Sequence, residues 1–251
     1  MLSCVIFDFD DTLADSTGVH ERVWPTVVET ILRHVPHLDE GAFLERYDAL
    51  MEGHYERLLA GELDFLGFRR TRLEAALEPW SAVDDALFAA YLEVKARVID
   101  ELRAHGDAVT TIRRLRRSGL RVGVLTNGPS ELQRHKLAVT GIAAEVDVIG
   151  ISGELGAHKP AGAAFAAVLE LMECRPAEAA MVGDSLVNDV EGACAHGFGR
   201  VVWVERAAAR SAPARTSLPA GVARVRRLAE VPPLLGSGRP RSVGPPAAAG
   251  V

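Results

Sequence analysis

The chain has 251 residues, of which 48% are hydrophobic and 25% charged, and its formal net charge is −6. That length suits one large domain or two modest ones. No apolar stretch approaches the ~20 residues needed to span a bilayer, and an acidic body is a poor general binder of nucleic acid.

The first predicted element is a strand at residues 3–8, the apolar run Cys4-Val5-Ile6-Phe7, and it ends in Asp8-Phe9-Asp10-Asp11. Three carboxylates at the end of a buried strand repel one another and resist desolvation, so a cation is expected beside them. A divalent metal on oxygen ligands is the simplest candidate. Asp8 and Asp10 are two apart, so on an extended backbone they share a side and Asp11 points away.

Residues 17–103 carry only helical signals, with apolar residues at three- and four-residue spacing over 23–35, 39–60, 68–77 and 84–102. Breakers fall at Pro36, Gly61, Gly67 and Pro79. After Gly106 helices and strands alternate. Helices are predicted at 108–117, 130–140, 161–172 and 187–195, and strands at 121–125, 146–151, 179–182 and 200–204. A weak strand and helix, 222–225 and 226–235, close the folded part. Alternation of this kind implies right-handed crossovers and a parallel sheet covered on both faces. The expected fold is therefore α/β, a Rossmann-like parallel sheet sandwiched by helices, with an inserted all-helical cap. Its core takes residues 1–16 and 104–235, its cap 17–103, and 236–251 form a disordered tail.

Residues 205–251 hold eight arginines and two glutamates, which leaves the preceding body still more acidic. We read this basic stretch as solubilising sequence. Cys4, Cys174 and Cys194 lack metal-ligand spacing and read as reduced, mostly buried thiols. With no basic region and apolar core at the N-terminus, a cytoplasmic location is expected.

Ligands of open α/β sheets bind beyond the C-terminal ends of the strands. Four segments reach that edge: Asp8 and Asp10; Thr126-Asn127-Gly128; His158-Lys159-Pro160; and Gly183-Asp184-Ser185, with Asn188-Asp189 one turn on. Lys159 at a helix start opposes the helix dipole, which favours a role in binding over a solvated one.

These segments, in this order and over residues 3–205, resemble the four motifs of the haloacid dehalogenase superfamily with a helical C1-type cap. The resemblance leans to its phosphatase branch, the nucleotidase, N-acylneuraminate-9-phosphatase and phosphoglycolate phosphatase-like members. It implies that Asp8 attacks phosphorus, giving an aspartyl-phosphate, and that Asp10 protonates the leaving oxygen and later deprotonates water. Asp10 would need a raised pKa, which its acidic neighbours are expected to provide. The resemblance further implies Mg²⁺ held by the Asp8 carboxylate, the Asp10 carbonyl and Asp184. Asp189 would orient a metal-bound water or Lys159. Thr126 and the Asn127 N–H would grip the phosphoryl oxygens, with Lys159 adding charge. Position 11, where many relatives have glycine, is a subfamily marker.

In the cap, the segment around Gly61–Arg72 offers Arg69 and Arg72 as substrate contacts or as ties between helices; His54 and Tyr55 are further candidates to face the cleft. Ser185 and Asn188 serve the metal or cap a helix, and Asp15 caps the helix that follows it. His158 reads as a bystander, and His20, His54, His135 and His196 as structural or exposed. The expected partner is a small phosphorylated metabolite, with no nucleic acid and no membrane, on a monomer or homodimer. High Ala, Arg and Gly usage suggests a bacterial source. A β-phosphoglucomutase-type phosphomutase shares every motif and is the alternative. A 2-haloacid dehalogenase, which normally lacks an acid at position 10, is disfavoured.

Overall fold

The computed structural model describes residues 1–205 and 218–236. Six strands form one parallel sheet in the order β3-β2-β1-β4-β5-β6. They are β1 (Cys4–Phe7), β2 (Arg121–Thr126), β3 (Val148–Ile151), β4 (Ala179–Gly183), β5 (Arg200–Val204) and β6 (Ala223–Val225). β1 lies centrally, with Phe7 level with Val124 of β2 on one side and Val182 of β4 on the other.

Alternation along β1 sends its side chains to two separate cores. Val5 and Phe7 join the cluster containing Val122, Val124 and Val182, which α6 (Ala108–Arg117) covers through Ala108, Ile112 and Leu115. Cys4 and Ile6 join Met181 in a second cluster, covered by Phe165, Val168 and Leu169 of α9 (Gly162–Leu171). Both faces being buried explains why β1 reads as a continuous apolar run and not as an alternating one.

Between β1 and α6 come five helices: α1 (Ser16–His34), α2 (Glu40–Ala49), α3 (Met51–Leu59), α4 (Phe65–Leu77) and α5 (Asp85–Asp100). The chain leaves the sheet and returns to it through two segments bonded to each other. The Asp15 N–H donates to the Arg103 carbonyl at 3.1 Å, and the His105 N–H to Leu13 at 2.8 Å. Asp15 caps α1 as expected, accepting the Gly18 N–H at 3.1 Å. The helices tie their ends together with arginines. Arg72 of α4 donates from Nε and Nη2 to the Tyr47 carbonyl in the last turn of α2, at 3.0 and 2.7 Å. Arg46 of α2 reaches back to the Ala76 and Ala75 carbonyls near the end of α4, at 3.3 and 2.9 Å. Each guanidinium thus supplies donors that helix C-termini lack.

The structure departs from the expected boundaries in a few places. The single helix expected over 39–60 is two, divided at Leu50. Gly67 is no breaker: it lies in the first turn of α4, where a Cβ would come within 2.9 Å of the capping Asp64 carboxylate. The helix after β4 opens as a π-helical turn, Leu186–Glu191, before α10 (Gly192–Ala195). Of the three free cysteines only Cys4 is buried; the other two are half-buried. The remaining short helices are α7 (Ser130–Val139), α8 (Ser152–Leu155) and α11 (Val231–Leu235). Apart from Gly236, the tail expected to be disordered lies outside the described residues. Among the described residues no helix is long and apolar enough to cross a membrane.

Candidate active site

β1 and β4 are adjacent, and the carboxylates that follow them, Asp8 and Asp184, meet at the C-terminal edge of the sheet, where the strand order reverses. The Asp8 N–H continues the ladder by donating to the Val182 carbonyl at 2.9 Å. Side-chain oxygens of Asp8, Asp184 and Asp189 lie within 4.8 Å of one another.

One ammonium enters this cluster. Lys159 Nζ, 2% exposed, stands 2.6 Å from Asp8 Oδ1 and 2.6 Å from Asp189 Oδ1. Asn127 fixes its backbone, donating from Nδ2 to the Lys159 carbonyl and accepting the Lys159 N–H, both at 2.9 Å. Asp189 also accepts the Ser185 N–H on Oδ2 at 3.0 Å. Both its oxygens are thereby engaged, and it holds Lys159 in place. This packing requires glycine at 183, since a Cβ there would lie 2.3 Å from Asp189 Cγ.

Three carboxylates against one lysine leave an uncompensated negative charge. Burial, reinforced by Asp189 and Asp11, pushes the Asp184 carboxyl up to about 7, against opposing effects of Thr12 and Lys159. Burial also raises Asp8 well above the usual carboxylate range; Lys159 opposes the rise, while Asp189 and Asp184 add to it. Burial works against the charge of Lys159, but the fields of Asp189 and Asp8 outweigh it and keep the lysine protonated. A buried, all-oxygen donor set with surplus negative charge fits a hard divalent cation. Asp184 is placed to serve it and accepts a hydrogen bond from Thr12 Oγ1 on Oδ1 at 3.1 Å.

Asp10 is engaged elsewhere. Lys136 Nζ lies 2.8 Å from its Oδ1, Gln133 Nε2 donates to its Oδ2 at 2.8 Å, and the Ser16 hydroxyl donates to it as well. Burial would raise its pKa, but the Lys136 charge and these three hydrogen bonds lower it overall. This corrects the expectation that its acidic neighbours raise it: the carboxylate faces α7, not the other acids. Gln133 also donates to the Thr126 hydroxyl, linking Asp10 to Thr126. Asp11 turns away as expected. It adopts φ 58°, in the left-handed region that favours glycine, and its carboxylate accepts from Thr17 N and Oγ1, each at 2.7 Å.

The structure thus brings together Asp8, Asp184, Asp189, Lys159 and Asn127, and links Asp10 to Thr126. Gln133, Lys136 and Ser16 carry no mark in the sequence. The one available signal is that Gln133 and Lys136 are three apart on the helix that follows Thr126-Asn127, hence on one face. Ser185 caps the turn, accepting the Asn188 N–H at 3.2 Å. His158 Nδ1 lies 3.2 Å from the Lys159 carbonyl oxygen. His54 Nδ1 is 2.9 Å from the carbonyl oxygen of Leu50, the residue that precedes its helix. Tyr55 sits within the field of Asp10, Lys159 and Asp8; burial is the main cause pushing its hydroxyl up to about 12. Arg72 is buried against Tyr47, whereas Arg69 stacks on Phe65 at 4.3 Å.

A family model described as haloacid dehalogenase-like hydrolase matches residues 2–197. The chain belongs to that family. A ribulose-1,5-bisphosphate 5-phosphatase of Halopiger xanaduensis is 30% identical over 213 residues, 81% of this chain and 85% of that one. A phosphoserine phosphatase of Thermus thermophilus is 43% identical over 100 residues, 40% of each chain. The crystal structure of a HAD phosphatase from Thermococcus onnurineus superimposes with a TM-score of 0.65 at 25% identity, covering 95% of this chain and all of that one. Within the haloacid dehalogenase-like hydrolases the protein stands with the phosphatases.

Proposed function

We propose that this haloacid dehalogenase-like hydrolase is a Mg²⁺-dependent phosphomonoesterase acting on a small phosphorylated metabolite through an aspartyl-phosphate. The observation that carries this reading is the position of Asp8. It lies at the end of β1, bonded to Lys159 and flanked by Asp184.

Asp8 supplies the electron pair that forms the O–P bond as the ester O–P bond breaks, and Asp10 supplies the proton to the departing alcohol oxygen. In the second step Asp10 accepts a proton from water, whose oxygen bonds to phosphorus as the Asp8 acyl-phosphate bond breaks. Lys136 and Gln133 stabilise Asp10 as a carboxylate, the form needed for that second step. A phosphoryl dianion drawing Lys136 to itself would weaken that hold and favour the protonated form needed for the first. Lys159, Thr126 and the Asn127 N–H bind the phosphoryl oxygens. Mg²⁺ would be held by Asp8, Asp184 and the Asp10 carbonyl, and would offset repulsion between the nucleophile and its anionic substrate. Helices within 17–103 act as the cap that closes over this edge.

The test is phosphate release from an aryl phosphate and from a panel of metabolite phosphates. Turnover should require Mg²⁺, stop with chelator, and fall by about 10⁴-fold or more in Asp8→Asn. Undiminished turnover in that variant would falsify the nucleophile assignment. Isomerisation of glucose 1-phosphate without phosphate release would replace the phosphatase with a mutase.

A further inference from the structure

Beside the carboxylate site lies a cavity of about 230 Å³ lined mainly by α1, α4, α5 and α7, with Tyr47 of α2 and Met51 of α3. Two of its wall residues, Ser16 and Lys136, are bonded to Asp10, so it abuts the proposed reaction centre. Its volume lies below the ~300–1,000 Å³ of drug-sized pockets, which suits a small metabolite.

The charge of its walls is one-sided. Arg69, Arg72, Lys95 and Lys136 line it together with His20, and its lining contains no Asp or Glu. Two of the four cations are committed: Arg72 to the Tyr47 carbonyl and Lys136 to Asp10. The other two have no carboxylate partner among the described residues. Among the described residues, Arg69 has only the Phe65 ring beneath its guanidinium. Lys95 has only the Trp24 ring, 5.0 Å from Nζ. Both are half-buried in a wall that also holds Tyr47, Phe68, Tyr91 and Val98.

Like charges gathered at low dielectric repel, and the repulsion registers on the lysine. Burial, then the fields of Arg69, Arg72 and Lys136, pushes Lys95 down to about 7. The same two kinds of effect, burial and nearby cations, push His20 down to about 4, leaving it a neutral hydrogen-bonding group on the same wall. An anion in the cavity would relieve this repulsion, and Arg offers it a planar fork of donors.

We infer that Arg69 and Lys95 bind a second anionic group of the substrate, a carboxylate or a second phosphate, while its scissile phosphoryl group lies at Asp8. The preferred substrates are then phosphomonoesters of small acidic metabolites. This rests on the phosphatase reading and deepens it. It also separates the two arginines singled out in the sequence: Arg69 meets the ligand, and Arg72 holds helices.

The experiment uses pairs of phosphomonoesters that differ in the second anion, with Mg²⁺ present and the full chain. D-3-Phosphoglycerate against glycerol 3-phosphate reports on a carboxylate. 1,3-Propanediol bisphosphate against 3-hydroxypropyl phosphate reports on a phosphate. In the wild type kcat/KM should favour the charged member of at least one pair by roughly ten- to hundredfold, the worth of a charge-assisted hydrogen bond. Arg69→Gln and Lys95→Gln should each pull that ratio toward one. Ratios near one for both pairs in the wild type, or a preference unchanged in both variants, overturn the inference. Calorimetric binding of the same pairs to Asp8→Asn separates the two readings. With no turnover of any ester, tighter binding of a charged member sinks the phosphatase reading and supports the anion site. Equal binding within both pairs sinks the anion site.

Discussion

Replacing Lys159 with methionine removes the cation paired with two buried carboxylates, Asp8 and Asp189, beside the half-buried Asp184, while keeping most of the side chain's length and volume. Its ammonium makes two 2.6 Å contacts, to Asp8 and to Asp189, and the side chains are 2%, 10% and 1% exposed respectively. Stripping one partner from a buried ion pair costs about 3–5 kcal/mol, because the other charge is left unpaired. At roughly 2–4 °C per kcal/mol for a chain of this size, the metal-free variant should melt about 6–20 °C below the wild type at pH 8. The deficit has a defined pH dependence. Lysine is protonated throughout pH 5–8 in both states, since folding raises its pKa from an already high value. The carboxylates set the slope. The folded pKa values of Asp8 and Asp184, raised by burial, rise further without the lysine, so the folded variant binds protons that the unfolded chain does not. Stability is then greatest near the ordinary carboxylate pKa and is lost as pH rises toward the raised one. The deficit at pH 5 should be clearly smaller than at pH 8. Calorimetric melts of both proteins in chelator at the two pH values measure it. A variant that melts within ~2 °C of wild type at pH 8, or whose deficit grows on acidification, refutes the assignment of Lys159 as the charge balance of this cluster.

Asp184→Asn should act in the opposite sense. With Asp184 raised to about 7, the metal-free wild type loses stability through this group between about pH 4 and 7. The variant's gain in Tm over wild type is therefore expected to be larger at pH 8 than at pH 5. Saturating Mg²⁺ should erase the gain, because only the wild type keeps its full ligand set. Arg72→Met should lower stability by about 1.5–3 kcal/mol, the worth of charged donors on the Tyr47 carbonyl, read as the denaturation midpoint at unchanged m-value. A loss below about 0.5 kcal/mol would remove Arg72 from the joint between α2 and α4.

Much of the architecture is legible in periodicity alone. β1 and β4 read as strands because both faces of the sheet are covered, which makes their runs continuously apolar and ends them at the first charge. The boundaries of α6 and β5 agree with the structure for related reasons: an apolar face and a polar or glycine stop. Leu50 and Gly67 misled in opposite directions. The helix turns a corner at Leu50 without a breaker, and at Gly67 a glycine serves the Asp64 cap inside a helix. Neither event leaves a trace in apolar spacing.

The site divides along the same line. Asp8, Lys159, Asp184 and Asp189 were nameable because each follows a strand or opens a helix, and strand ends in a parallel sheet converge on one edge. The environment of Asp10 was not. Spacing puts Asp10 on the side of Asp8, but its pKa is set by Lys136, Gln133 and Ser16, which are remote in sequence or otherwise unremarkable. The cluster of Arg69 and Lys95 is likewise a product of packing, since residues 26 apart on different helices share a wall only once α4 and α5 are placed. Local sequence determined which side chains reach the edge of the sheet, because backbone periodicity is a local property. Which of them are charged, paired or left without a counter-ion is decided by the tertiary structure, because fields and desolvation depend on distances that only the folded chain defines.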